Sequence, residues 1–140
     1  MRAELPQRRP HEILTVDHVW LRGTHREMTE TMTLSVGLYG AEDPRIGEVF
    51  ITCDNHVNER SIALWHDIGV LISYCLQFGA TVEQLCGAMA RGEVIYMDRV
   101  EISPHSPAGT VLEALLALQV EIGQRQIPIT QSPEHVTDAP

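Results

Sequence analysis

The residues that could do chemistry are concentrated around one short segment of this sequence. Cys53 and His56 stand three positions apart after an apolar run, and His66 follows ten residues later. Thiolate and imidazole are ligands that zinc prefers, so these three residues could form part of a zinc site. Their spacing matches no established metal signature, and a fourth ligand would have to come from elsewhere. We favour the simpler interpretation, in which Cys53 is a small apolar core residue and residues 54–56 form a turn.

A nucleophilic site is the second chemical alternative. Cys53 would pair with His56 or His66, and Asp67 would orient the base. This chemistry also needs an oxyanion hole and a substrate cleft, which the sequence does not indicate. His66 lies in an apolar helical segment, where a buried imidazole needs a hydrogen-bond partner. Since Asp67 points about 100° away on a helix, we expect that partner on another element or on another chain.

Composition limits the function classes. The 140 residues carry a formal net charge of −9, which argues against binding to nucleic acid or to an anionic membrane. Three cysteines form no disulfide framework, and no apolar run reaches the roughly 20 residues of a membrane span. The polar N-terminus has no apolar signal segment. We therefore expect a cytoplasmic protein without membrane contact.

Three segments have the composition of strands: residues 12–21, 31–39 and 48–52. The second has the clearest period of two, because Met32, Leu34, Val36 and Leu38 alternate with small or polar residues. That alternation predicts one core-facing side. Short connections favour antiparallel hairpins. Residues 94–102 could be a further strand or an extended connection.

Helical spacing predicts a long helix over residues 58–78, ended by Gly79. Its apolar residues recur at helical spacing: Leu64, Ile68, Leu71, Cys75 and Phe78, widened by Ile62, Trp65, Ile72 and Leu76. A helix this apolar packs against a sheet or against a partner, and the sequence leaves open which of the two takes its apolar face. Cys75 on this helix reads as a core residue.

Two capping boxes predict the remaining helices. Thr81 and Gln84 open a second helix that Gly92 closes, with Cys86 on its apolar face as another predicted core residue. Thr110 and Glu113 open a third over residues 111–122, which Gly123 and Pro128 stop.

The order of strands followed by helices predicts an α+β fold. We expect an antiparallel sheet of three to four strands with two to three helices packed on one face. Residues 1–10 read as a flexible arm, residues 11–126 as a single domain and residues 127–140 as a disordered tail.

The segment from Gly47 to Ile51, the Ile72–Gly79 pattern and the helix start at Val82–Gln84 together resemble a known family. They are similar to the C-terminal, TSCPD-like domain of coenzyme-B12-dependent ribonucleotide reductases, here as a stand-alone domain. The upstream residues 5–9 resemble the segment that opens that domain, and residues 106–118 are similar in placement to its last helix.

The resemblance concerns scaffold residues and implies little chemistry. The barrel with the radical-forming cysteine and the cobalamin site does not fit in 140 residues, and no Cys-x-x-Cys pair occurs. We therefore expect a non-catalytic interaction or accessory module, not an enzyme by itself and without a cofactor. It would self-associate as a homo-oligomer or dock on a larger partner, which the resemblance suggests is a ribonucleotide reductase catalytic chain. The alternative is a small zinc-binding protein or metal-dependent enzyme using Cys53, His56 and His66.

Overall fold

The computed structural model describes residues 2–3, 5, 10–40, 42–54 and 59–135, with side chains up to residue 125. It confirms the predicted α+β class. The elements in chain order are β1 (His11–Trp20), β2 (Met28–Tyr39), β3 (Arg45–Cys53), α1 (Glu59–Gln77), α2 (Val82–Ala88), β4 (Arg91–Ile95), β5 (Val100–Pro104) and α3 (Pro107–His135).

The first three strands form one antiparallel sheet in the order β1-β2-β3. Its register places Val16 opposite Met32, and Met32 opposite Cys53. The predicted alternation of β2 is confirmed, because its apolar set is buried and the intervening threonines are not. One side of the sheet therefore faces the core, and on the other side β2 presents mainly threonine and serine, flanked by the exposed Ile13 of β1 and Phe50 of β3.

Helix α1 lies along the outer edge of β3 and bonds backbone groups at two of its residues. The Val49 amide donates to the Ser73 hydroxyl at 2.9 Å. The Gln77 side-chain amide donates to the Gly47 carbonyl at 2.8 Å. Gly69 allows the close approach, since a β-carbon there would lie 2.8 Å from the Val49 carbonyl oxygen. A strand edge covered in this way cannot pair with another chain.

The turn from α1 into α2 follows the sequence prediction. Gly79 has a φ of 109°, a conformation that favours glycine. Thr81 and Gln84 form the predicted reciprocal capping box. The predicted end at Gly92 is wrong, because α2 stops at Ala88 and Gly92 lies inside β4. The helix ends there because the backbone of Met89 is extended, with a ψ of 151°.

Residues 94–102 are neither one strand nor a plain connection. They belong to a hairpin in which β4 and β5 pair antiparallel as a separate two-stranded sheet. The Tyr96 amide donates to the Arg99 carbonyl at 2.8 Å and closes its turn. Five-residue strands give too short a pattern to resolve from sequence.

Helix α3 lies across the core side of the first sheet and begins earlier than predicted. Its start is stabilised by Ser106, whose hydroxyl accepts from the Gly109 amide at 3.3 Å. Thr110, the predicted cap, is already inside the helix. The helix also continues beyond Gly123 and Pro128, so the predicted stop at residue 122 is wrong. Its core residues are Val111, Leu112, Leu115, Leu118 and Ile122.

The domain boundaries predicted at residues 10 and 127 stay predictions. Near the first, the Ala3 amide donates to the Gln77 carbonyl at 2.7 Å, so part of this segment contacts the end of α1. Within the described residues, none of the helices combines the length and the apolar character that crossing a bilayer requires.

Candidate functional site

Cys53 ends β3 with its side chain on the core side of the sheet. It is buried within the apolar cluster, as the simpler interpretation predicts. Its thiol also donates to a Glu30 carboxylate oxygen at 3.5 Å. The other oxygen of Glu30 accepts from the Trp20 indole at 2.8 Å. Cys53 is thus a core residue that contacts a polar network.

His66 is not the buried residue that the sequence suggests. Its side chain is 67% exposed, and its Nδ1 lies 3.2 Å from Asp67 Oδ1. The expectation of a partner on another element is therefore wrong. Because both side chains are solvated, each can bend toward its neighbour despite the 100° step along the helix.

Cys53 and His66 nevertheless line one cavity of about 260 Å³ together with Phe50, Ile62 and Trp65. The third predicted ligand, His56, lies in residues 55–58, outside the described part of the chain. Among the residues that are described, no cluster of three or more His, Cys, Asp or Glu side chains could hold a metal ion. A zinc or nucleophilic site through His56 stays a prediction.

The structure decides which side of α1 packs into the core. Its apolar residues form two stripes, and the core takes the one that contains Trp65, Ile72 and Leu76. The other stripe, which the sequence leaves open as core or as a partner contact, faces outward. We call it the α1 seam: Leu64, Ile68, Leu71, Cys75 and Phe78, of which all but the half-buried Ile68 are exposed.

The seam has the spacing of a coiled-coil contact. Successive members are four, three, four and three residues apart, which is the 3.5-residue repeat of helices that pack on another helix. None of the five side chains is charged. The prediction of Cys75 as a core residue is wrong, because its side chain is exposed, whereas that of Cys86 is confirmed.

The flank of the seam is ordered and nearly neutral. Arg60 and Asp67 lie there with opposite charges. Tyr74 is on the same flank, and the Arg2 guanidinium lies 4.2 Å from the centre of its ring. The acidic character of the whole chain is therefore not concentrated around the seam.

A further buried polar group adjoins the network of Cys53, Glu30 and Trp20. His18 is 4% exposed, and its Nδ1 lies 2.7 Å from the Thr110 hydroxyl. Its ring meets that of Trp20 edge to face at 4.6 Å. Sequence reasoning missed His18, although the period of two in β1 puts it on the same side as Val16.

The pH dependence of stability should report this burial. Burial lowers the pKa of His18; the Glu30 charge opposes this, while Arg22 and His105 add to it. Above the unfolded value of about 6.5, His18 is neutral in both states and its contribution is complete. As the pH falls below that value, the unfolded chain binds the proton first, so the free energy of unfolding decreases.

Lowering the pH from 7.5 to 5.5 should reduce the free energy of unfolding less in His18→Gln than in the parent chain. Urea unfolding at both pH values measures this, and the other six of the seven histidines cancel in the comparison. Equal losses would show that His18 titrates alike in the folded and unfolded states.

Comparison with known proteins adds no assignment to this geometry. No protein-family model, no curated protein and no solved structure matches the chain.

Proposed function

We propose that this chain is a non-catalytic interaction module that self-associates through the α1 seam. The observation that carries the proposal is the outward-facing seam itself, on a helix whose other apolar stripe already fills the core. While these apolar side chains are exposed to water, they do not contribute the stabilising free energy that their burial would provide. A second helix packed along the seam would recover it.

A second copy of the same chain is the occupant that we favour. Two helices with a 3.5-residue repeat interlock side chains at a crossing angle of about 20°, and two copies have that repeat by definition. A two-fold dimer needs one self-complementary patch, and an uncharged seam with a neutral flank meets this condition despite the net charge of −9.

The length of α1 limits the area of the interface and therefore the affinity that we expect. Its 19 residues span about 28 Å at a rise of about 1.5 Å per residue. An interface of this length is at the small end of specific interfaces, which are weak or transient. We therefore expect a dissociation constant in the micromolar range.

Sedimentation velocity across this concentration range tests the proposal. Leu71→Glu puts a charge in the middle of the seam and should raise the dissociation constant at least about tenfold, because an unpaired charge is costly to bury. Val70→Glu is the matched control, since Val70 is also exposed on α1 but lies about 100° around the helix from Leu71.

A parent chain that stays monomeric up to about 1 mM, or a Val70→Glu effect equal to that of Leu71→Glu, would overturn the proposal. In the first case the resemblance gives the next occupant to test, a ribonucleotide reductase catalytic chain in the cytoplasm. Its recovery with the tagged protein, and its loss with Leu71→Glu, would identify the seam as a docking surface for that larger chain.

Metal binding is a second candidate function, and it is favoured because Cys53 and His66 line the same cavity. Metal analysis of protein purified without a histidine tag tests it. A zinc content near one per chain that falls in His66→Gln would support it, and substoichiometric zinc, iron and manganese would exclude it.

A further inference from the structure

A cleft of about 550 Å³ lies between the turn that follows β1 and the β4–β5 hairpin. We call it the hairpin cleft. The apolar residues that line it include Trp20 and Val94, and the polar ones include Arg22, Ser103 and His105. This volume falls within the range of small-molecule sites, which combine an apolar lining with a few polar groups.

The turn that carries Arg22 is held by its own hydrogen bonds. Thr24 donates from its hydroxyl to the Leu21 carbonyl at 2.7 Å, and the Gly23 amide donates to Glu27 at 3.1 Å. Leu21 has a φ of 52°, a conformation that is costly for a bulky residue. This backbone places Arg22 at the rim of the cleft.

Arg22 has no carboxylate partner among the described residues. Other arginines in the same part of the structure are paired, for example Arg91 with Glu113 at 2.8 Å and Arg99 with Glu101 at 2.8 Å. A turn that presents this guanidinium beside a cleft suits a carboxylate or a phosphate group, each of which can accept two parallel N–H bonds from it.

His105, the residue after β5, lines the same cleft as Arg22. Its amide donates to the Ala90 carbonyl at 2.9 Å. A β-carbon at Gly92 would lie 2.6 Å from its Nδ1, so glycine makes the room for this ring. His105 also stands two residues before Pro107, where α3 begins, and a helix N-terminus carries positive partial charge.

From this juxtaposition of Arg22 and His105 we infer that the hairpin cleft binds a small molecule with an apolar body and a phosphate or carboxylate group. The anionic group would contact the guanidinium and the imidazole. The apolar body would lie against Trp20, whose indole N–H is already held by Glu30 at 2.8 Å, and against Val94.

Three sources of negative charge oppose an anionic ligand. The first is Glu27, whose carboxylate accepts from the amide of Gly23, a residue that lines the cleft, at 3.1 Å. The chain as a whole is acidic, but charges more than about 8–10 Å away are largely screened at physiological salt. Glu93 also lines the cleft, although this residue is exposed, whereas its neighbours Gly92 and Val94 are half-buried. Removing the Glu93 charge should therefore strengthen binding.

Titration of the isotope-labelled full chain with phenyl phosphate, benzoate and inorganic phosphate, followed by amide NMR shifts, tests the site. We expect shifts centred on Arg22, Gly92 and His105, and tighter binding of phenyl phosphate than of inorganic phosphate. Stronger binding of phenyl phosphate than benzoate would identify a phosphate ligand, and the reverse a carboxylate ligand.

Variants of the surface charges complete the test. Arg22→Gln should weaken binding at least about fivefold, and Glu93→Gln should strengthen it. Arg26→Gln is the control, because Arg26 lies in the same exposed turn but outside the cleft. The inference is overturned if none of the three compounds shifts these amides at about 20 mM, or if Arg22→Gln and Arg26→Gln bind equally.

Discussion

A Gly69→Ala chain should have a free energy of unfolding about 2–3 kcal/mol lower than the parent, which is the upper part of the range of about 1–3 kcal/mol for overpacking a filled site. The added β-carbon would lie 2.8 Å from the Val49 carbonyl oxygen. That oxygen belongs to the backbone of β3, which the sheet and the Ser73 hydroxyl hold in place. Alanine gains up to about 1 kcal/mol of helix propensity over glycine, which is too little to offset the displacement of α1.

Two further glycines provide the matched controls. At Gly87 in α2 and Gly123 in α3, a β-carbon would meet no atom within 4 Å. The same substitution should stabilise the chain there by about 0.5–1 kcal/mol. Urea unfolding of the three variants measures all of these differences. A stabilising effect of Gly69→Ala as well would show that α1 does not contact the edge of β3 this closely.

The first sheet could be predicted from sequence because its signal is local. In β2 the alternation of Met32, Leu34 and Val36 with small polar residues continues through most of the strand. Each of these side chains has its direction set by the pleat alone. Short connections then allow only one simple pairing, and the observed order β1-β2-β3 follows.

The orientation of α1 could not be predicted in the same way. Trp65 and Leu71 belong to different apolar stripes of comparable strength, so hydrophobic periodicity cannot decide which one meets the sheet. The decision depends on tertiary contacts: Ser73 and Gln77 bond the edge of β3, and Gly69 lets the two backbones meet. These polar and small residues identify the packed side, and a hydrophobic count ignores them.

Capping residues are informative at one helix and misleading at another. The Thr81 box is sufficient for α2 because the chain before it turns at Gly79. At α3 the Thr110 pattern misleads, since Ser106 and Pro107 have already started the helix and Thr110 instead meets His18. A proline at the first helical position is the signal that corrects this.

The candidate sites are the least predictable part of the chain. Arg22 and His105 are 83 positions apart in the sequence and share no motif. Only the placement of the β4–β5 hairpin beside the turn after β1 brings them to one cleft. Cys53 and His66 are close enough in sequence to be grouped from sequence alone, and they do line a common cavity.

Adjacent residues of α1 allow a direct test of which stripe supports the fold. Ile72 is 7% exposed and Leu71 is 64% exposed, so truncating each to alanine should have very different effects. We expect Ile72→Ala to lower the free energy of unfolding by about 2–4 kcal/mol, because it removes core contacts and leaves a cavity. Leu71→Ala should change it by less than about 0.5 kcal/mol in the monomer.

Unfolding must be measured at a protein concentration well below the dissociation constant of the proposed dimer, so that the seam stays exposed. At high concentration the difference between the costs of Ile72→Ala and Leu71→Ala should become smaller. The parent chain then gains stability by dimerising, and Leu71→Ala loses interface contacts that contribute to this gain. Equal costs at low concentration would mean that Leu71 is buried within the single chain. The α1 seam would then belong to the core, and self-association would need another surface.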